Sequence, residues 1–283
     1  MSQLIFQNEE GTLRIGGGSA EAWRMTELSG LGLPTRNLQT AALSAEAGQR
    51  VFGERKNARL ITLAGDVYPK GMALEARLSG AIRILDKPGW LIVKTKMKNR
   101  KIWARCSSLE FGKRIGVYRE FQMQFYCESP YFEESKSISA ALYKRERKLK
   151  KSFTLPCVMS ERVSKGTVIN SGDVVTEPIF EIYFAADGTE NETGNIELKN
   201  HRNGISLKLS YVGGANETVT VDIPKRRIYN NNGDSLLYAL SDDSFLSEFV
   251  LEKGENELEV VNHASRGVCV SCRFEQKYLE AAY

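Results

Sequence analysis

Phe121-Gln122-Met123-Gln124-Phe125-Tyr126-Cys127-Glu128-Ser129-Pro130-Tyr131-Phe132 is the stretch that divides this chain. Phe121, Met123, Phe125 and Cys127 alternate with Gln122, Gln124 and Tyr126, and that period of two places the first set on one face of a half-buried β-strand. Pro130 stops the strand, because proline offers no amide hydrogen to a ladder and biases Ser129 toward an extended conformation. A strand ended so sharply near the middle of 283 residues reads as the close of one domain.

The charge changes sign nearby. Residues 1–151 hold 27 Lys+Arg against 15 Asp+Glu, a net of +12, whereas residues 152–283 hold 12 against 20, a net of −8. Two halves of opposite sign support two domains, and they suggest head-to-tail contact between copies of the chain.

Toward the N-terminus, short strands are expected around 13–15 and 22–25, followed by Gly30-Leu31-Gly32-Leu33-Pro34. Residues 38–56, with Gly48-Gln49-Arg50, show no convincing period and read as a long loop. A strand follows at 59–63. Met72, Leu74, Leu78, Ile82 and Leu85 then recur at mainly three- and four-residue spacing, which marks an amphipathic helix ended by Pro88-Gly89. Strands resume at 90–94, 101–106 and 115–127.

Beyond Phe132 the stretch to Cys157 reads as a connector. It carries Lys144-Arg145-Glu146-Arg147-Lys148-Leu149-Lys150-Lys151, six basic residues in eight. Lys144, Arg145, Arg147, Lys148, Lys150 and Lys151 are therefore candidate interaction residues for nucleic acid or another polyanion. A solvated linker, or a strand docked on an acidic neighbour, is the favoured reading, because no base-stacking aromatics interleave with the lysines.

From Ile169 the chain becomes a series of short strands. Phe180, Ile182 and Phe184 alternate with polar residues, and Ile196 and Leu198 lead through Asn203-Gly204 to Ile205, Leu207 and Leu209. Asn-Gly between two alternating runs is a hairpin signal, read here as a type I′ turn. Further strands around Val219–Ile223, Leu258–Val260 and Val268–Phe274 give a β-sandwich. The expected fold is mainly β with one helix, divided into a domain at 1–132, a basic connector at 133–157 and a sandwich at 158–283.

No enzyme constellation emerges. Cys269 and Cys272 form a C-x-x-C, but the alternation of their strand sends the two thiols to opposite sides. His201 and His263 lie in loop contexts without ligand spacing, and neither Gly30-Leu31-Gly32 nor Gly16-Gly17-Gly18-Ser19 completes a nucleotide-binding motif. No catalytic residue, cofactor or metal is expected. No run approaches the roughly 20 apolar residues of a membrane span, and the first 18 residues do not form the apolar core of a secretory signal.

In their order and spacing, four landmarks resemble the distal tail protein (Dit) family of siphophages and prophages. These are Gly30-Leu31-Gly32-Leu33-Pro34 with Gly48-Gln49-Arg50, the strand-helix unit from Arg59 to residue 85, the Phe125–Phe132 signature, and Ile169-Asn170-Ser171-Gly172-Asp173 with Pro178-Ile179-Phe180. The resemblance implies an N-terminal split-barrel-like domain that forms a ring, usually of six subunits, and a galectin-like sandwich that projects outward. It implies a structural hub joining the tail tube protein to tail-tip and receptor-binding proteins, with DNA at most passing through the ring lumen. Such a protein is made in the host cytoplasm and resides in the virion at the distal end of the tail. The alternative is a carbohydrate- or receptor-binding module, with Tyr183, Tyr211, Tyr229 and Tyr238 of the sandwich as stacking candidates.

Overall fold

The computed structural model describes residues 3–16, 18, 21–43, 47–147, 160–186, 194–263 and 267–281, with backbone alone at 143–147 and 160–163. Two compact units are present: Met1–Ser135 with Tyr278–Tyr283, and Lys136–Lys277. The second unit is thus an insertion in the first, entered once and left once.

Unit 1 contains β1 (Gln3–Asn8), β2 (Gly11–Gly16), β3 (Trp23–Ser29), β4 (Arg36–Ala42), β5 (Gln49–Lys56), β6 (Arg59–Val67), α1 (Leu74–Asp86), β7 (Gly89–Lys94), β8 (Asn99–Ile115), β9 (Tyr118–Cys127) and β10 (Phe132–Glu134). Its strands run in the order β8-β7-β1-β2-β3-β6-β9, and β9 pairs back onto β8, which closes a seven-stranded barrel. Closure depends on the length of β8. Its first part, from Asn99 to Ala104, pairs with β7, and its second part, from Arg105 to Ile115, pairs with β9 across two register shifts. Such irregularities bend a strand and raise its twist, as a closed sheet requires.

The alternation expected at 121–127 is present. Phe121, Met123, Phe125 and Cys127 are buried in the barrel core, where the Phe125 ring lies 5.2 Å from that of Phe6. Strand β1 carries no comparable alternation, since Leu4, Ile5 and Phe6 are all buried. Helix α1 buries Leu74, Leu78, Ala81 and Leu85. The apolar face therefore runs through Ala81, and Met72 and Ile82, expected on it, are 53% and 50% exposed. The helix ends where Lys87 turns extended ahead of Pro88.

Unit 2 contains β11 (Ile138–Arg147), β12 (Ser160–Val163), β13 (Lys165–Asn170), β14 (Ile179–Phe184), β15 (Asn195–Asn200), β16 (Ile205–Ser210), β17 (Thr218–Asp222), β18 (Arg227–Asn230), β19 (Gly254–Asn262) and β20 (Val268–Phe274), and β21 (Lys277–Tyr278) leads back to unit 1. Sheets β12-β11-β20-β14-β17-β18 and β13-β19-β15-β16 share one core, with Phe180, Ile182 and Val221 from the first meeting Leu198, Leu207 and Leu258 from the second. This is a β-sandwich, as the alternating runs predict.

Two local expectations change. Residues 133–157 do not form a plain connector, because β10 and β11 occupy its first part, and β11 pairs with β20 from Ile138↔Phe274 to Tyr143↔Val270. Among its described side chains Leu142 alone is fully buried, with Ile138 and Ala140 partly buried on the same face, a short alternation that the basic run then follows. The turn after β15 is a four-residue loop rather than a two-residue one, because Asn200 pairs with Ile205. Asn200 is committed elsewhere: its side chain is buried and donates to the Val250 carbonyl. Only Gly204 of this loop takes a positive φ.

Candidate interaction surfaces

Arg59 explains why the sequence landmarks of unit 1 occur together. Its side chain is 3% exposed and holds backbone carbonyls from three separated segments. Nη1 donates to the carbonyls of Gly30 and Gly32, each at 2.6 Å, Nε and Nη2 donate to Pro130 at 3.1 and 2.8 Å, and Nη2 also donates to Leu279 at 2.8 Å. The guanidinium lies 4.6 Å from the centre of the Phe132 ring. One fork thus ties the Gly-Leu-Gly-Leu-Pro segment, the Ser-Pro stop and the returning end of unit 1 to the start of β6. Burial pushes Arg59 below the ordinary guanidinium value, with nearby Cys127 opposing. Burial likewise pushes the Cys127 thiol up to about 12, with Arg59 opposing. Gly30 is required in this arrangement. Its φ is +86°, and a Cβ there would run into the Leu60 carbonyl.

The same node anchors a projecting hairpin. Among the described residues, strands β4 and β5 pair only with each other, from Arg36↔Lys56 to Ala42↔Gln49. They replace the long loop expected over 38–56. Every residue of β4 is exposed, and Leu38, Val51 and Phe52 are 48%, 52% and 66% exposed. A strand with neither face buried has no reason to alternate apolar and polar residues, so its sequence looks irregular. The register shifts between Gln39 and Thr40, and Phe52 is the extra residue of that bulge.

Residues 171–278 match the model of the siphovirus-type tail component, C-terminal domain. That stretch is similar to the C-terminal domain of siphovirus-type tail components. The fold of the whole chain is also found among solved phage structures. The crystal structure of SPP1 Dit (gp 19.1), a paradigm of the hub adsorption apparatus in phages infecting Gram-positive hosts, aligns over 98% of this chain and 99% of its own at 15% identity and a TM-score of 0.70. A chain of the phage P2 baseplate in its activated conformation with Ca aligns over 99% of both chains at 10% identity and a TM-score of 0.56. The corresponding strontium form of the p2 baseplate gives 11% identity over 96% of this chain and 98% of its own, with a TM-score of 0.52. No curated protein matches the sequence.

Around and within the tail-component domain, the expected site residues lie apart. Lys144, Arg145 and Arg147 belong to β11, where they pair with Val163, Arg162 and Ser160 of β12; Lys148, Lys150 and Lys151 lie outside the described residues. The four tyrosines do not share one platform. Tyr183, on β14, donates to Asn216 at 2.7 Å, and Tyr229 sits on β18 of the same sheet. Tyr211 follows β16 of the other sheet, with its hydroxyl 2.8 Å from Glu217 and its ring packed edge-on against Phe184. Burial and the Glu217 carboxylate push Tyr211 up to about 12. Tyr238, 77% exposed, stands on a single turn of 3-10 helix. Among the described residues, no group of three or more His, Cys, Asp or Glu is placed to hold a metal ion, and no helix is long and apolar enough to cross a membrane.

Proposed function

We propose that the chain is the hub of a phage or prophage tail tip, assembling as a ring of six copies that joins the tail tube to tip and host-adhesion proteins. The observation that carries this reading is the fold shared along nearly the full length of SPP1 Dit, combined with the family match of residues 171–278. The barrel unit, Met1–Ser135 with Tyr278–Tyr283, is the ring-forming part. The sandwich unit, Lys136–Lys277, presents a surface to tip and receptor-binding proteins, and the virion is the place of action.

The physical chemistry fits a scaffold. A closed ring uses heterologous contacts, in which one patch meets a different patch on the next copy. An exposed two-stranded arm on a closed barrel supplies one such patch, and a hub requires no catalytic group. Gel filtration coupled to light scattering, with negative-stain imaging of the peak, tests the proposal. The expected result is a ring with the mass of six chains. A monomer at every concentration, with no ring even when tube and tip proteins are added, contradicts it.

A further inference from the structure

Among the described residues, two features of unit 1 have no partner within it. One is the arm. The other lies on the outside of the barrel across β1, β7 and β8. Leu91, Val93, Ile102 and Ala104 point into the core, which leaves Trp90 and Trp103 pointing out. These two indoles are directly opposed in the ladder, with ring centroids 5.2 Å apart at 76°, and Gln7 continues their row onto β1. Lys101 Nζ sits 4.5 Å from the Trp90 ring centre. Together with Glu9 and Lys87 they line an open cleft of about 670 Å³ in which Trp103 is 39% exposed. Large aromatics held on the solvent side of a barrel mark an interaction surface, because they leave apolar area unburied.

We propose that the arm of one copy docks in the tryptophan cleft of the next copy, setting Phe52 and Val51 against Trp90 and Trp103. This inference rests on the ring reading above and names the two surfaces that would form it. Topology supplies the first support. The arm leaves the barrel between β3 and β6, and the two tryptophans sit on β7 and β8, three strands away in one direction around the closed sheet and four in the other. Arm and cleft therefore lie on opposing sides of the barrel, as head-to-tail contact requires.

Charge supplies the second support. Among the described residues, Arg50 and Arg55 of the arm form no ion pair, and neither does Glu9, the acidic residue that lines the cleft beside Lys87 and Lys101. Complementary charges of this kind fix register and steer encounter. The third support is energetic. A two-stranded hairpin that buries neither face is marginal on its own, so a cover over Leu38, Val51 and Phe52 would stabilise it.

Sedimentation velocity on the full chain tests the docking. Arg50→Glu with Arg55→Glu is expected to weaken self-association by roughly 30-fold or more, and adding Glu9→Arg is expected to restore part of it. Trp103→Ala, which removes an exposed side chain, should weaken assembly by a similar factor without changing the thermal midpoint of the dissociated chain. If the unaltered chain assembles and all of these variants assemble equally well, the docking is overturned while the ring stands. Weakening by the arm reversal without rescue, together with an inert Trp103→Ala, also overturns the cleft as the seat. An unaltered chain that never assembles overturns the ring reading, and the docking with it.

Discussion

Strand β9 and the β4–β5 arm are both β structure in one unit, yet they sit at opposite extremes of burial. Strand β9 is paired on both edges, to β6 and β8, and sends every second side chain into the core. The arm is paired along one seam only and buries neither face. The difference teaches what a hydrophobic period records. It reports a buried face, not the presence of a strand. A strand whose covering face lies on another molecule leaves no such trace in its own sequence.

The sharpest way to break this comparison is to open the core beneath β9. Phe125→Ala should cost about 3–5 kcal/mol, the loss of a buried aromatic plus the cavity it leaves. All three tryptophans, Trp23, Trp90 and Trp103, lie in unit 1, so urea unfolding followed by indole fluorescence reports on this unit alone. A loss below about 1 kcal/mol would mean that β9 is not the core strand described here.

Arg59→Ala should come next, at about 3 kcal/mol, because four carbonyls lose their donor at once. Arg59→Lys should recover little of that loss, since an ammonium cannot span the fork between Gly30, Pro130 and Leu279. The same fluorescence transition checks both. Equal stability of the Lys variant and the parent chain would show that the fork geometry does not matter.

On the arm the expectation reverses. Phe52→Ser should leave the unfolding of unit 1 within about 0.5 kcal/mol of the parent value, the usual range for an exposed site. A larger loss would place Phe52 inside a packed environment of its own chain.

The smallest effects concern the thiols. Burial pushes Cys127 and Cys272 up to about 12, against 9.0 when unfolded, whereas Cys269 is exposed. A thiol raised on folding leaves stability intact below about pH 9 and erodes it as pH climbs from there toward 12. Alkylation at pH 8 read by peptide mass spectrometry should therefore modify Cys269 first. Cys127 and Cys272 should react only as their units unfold, and rapid native-state labelling of either would contradict the burial.

Much of the fold was readable from residue patterns. The sandwich strands, the helix at Leu74–Asp86 and the buried set on β9 all follow from periodicity and turn residues. What stayed hidden has physical causes. Strand β1 is buried on consecutive residues and shows no period, the arm buries neither face, and β11 alternates only briefly, at Ile138, Ala140 and Leu142, before its basic run. Of the candidate interaction residues, the basic run was conspicuous because charge is conspicuous. Phe52, Trp90 and Trp103 are less visible in the sequence, because each is a single apolar residue pointing outward. A signal for the pair did exist: alternating inward residues at Leu91, Val93, Ile102 and Ala104 leave indoles on the polar side.

Hydrogen exchange on the full chain, read at amides 36–42 and 49–56 alongside those of 118–127 over a concentration series, tests the central claim most directly. Strand β9 should exchange slowly at every concentration, whereas the arm should become slow only where the chain self-associates. An arm protected as well in the dilute monomer as in the assembly, or unprotected in both, would contradict it.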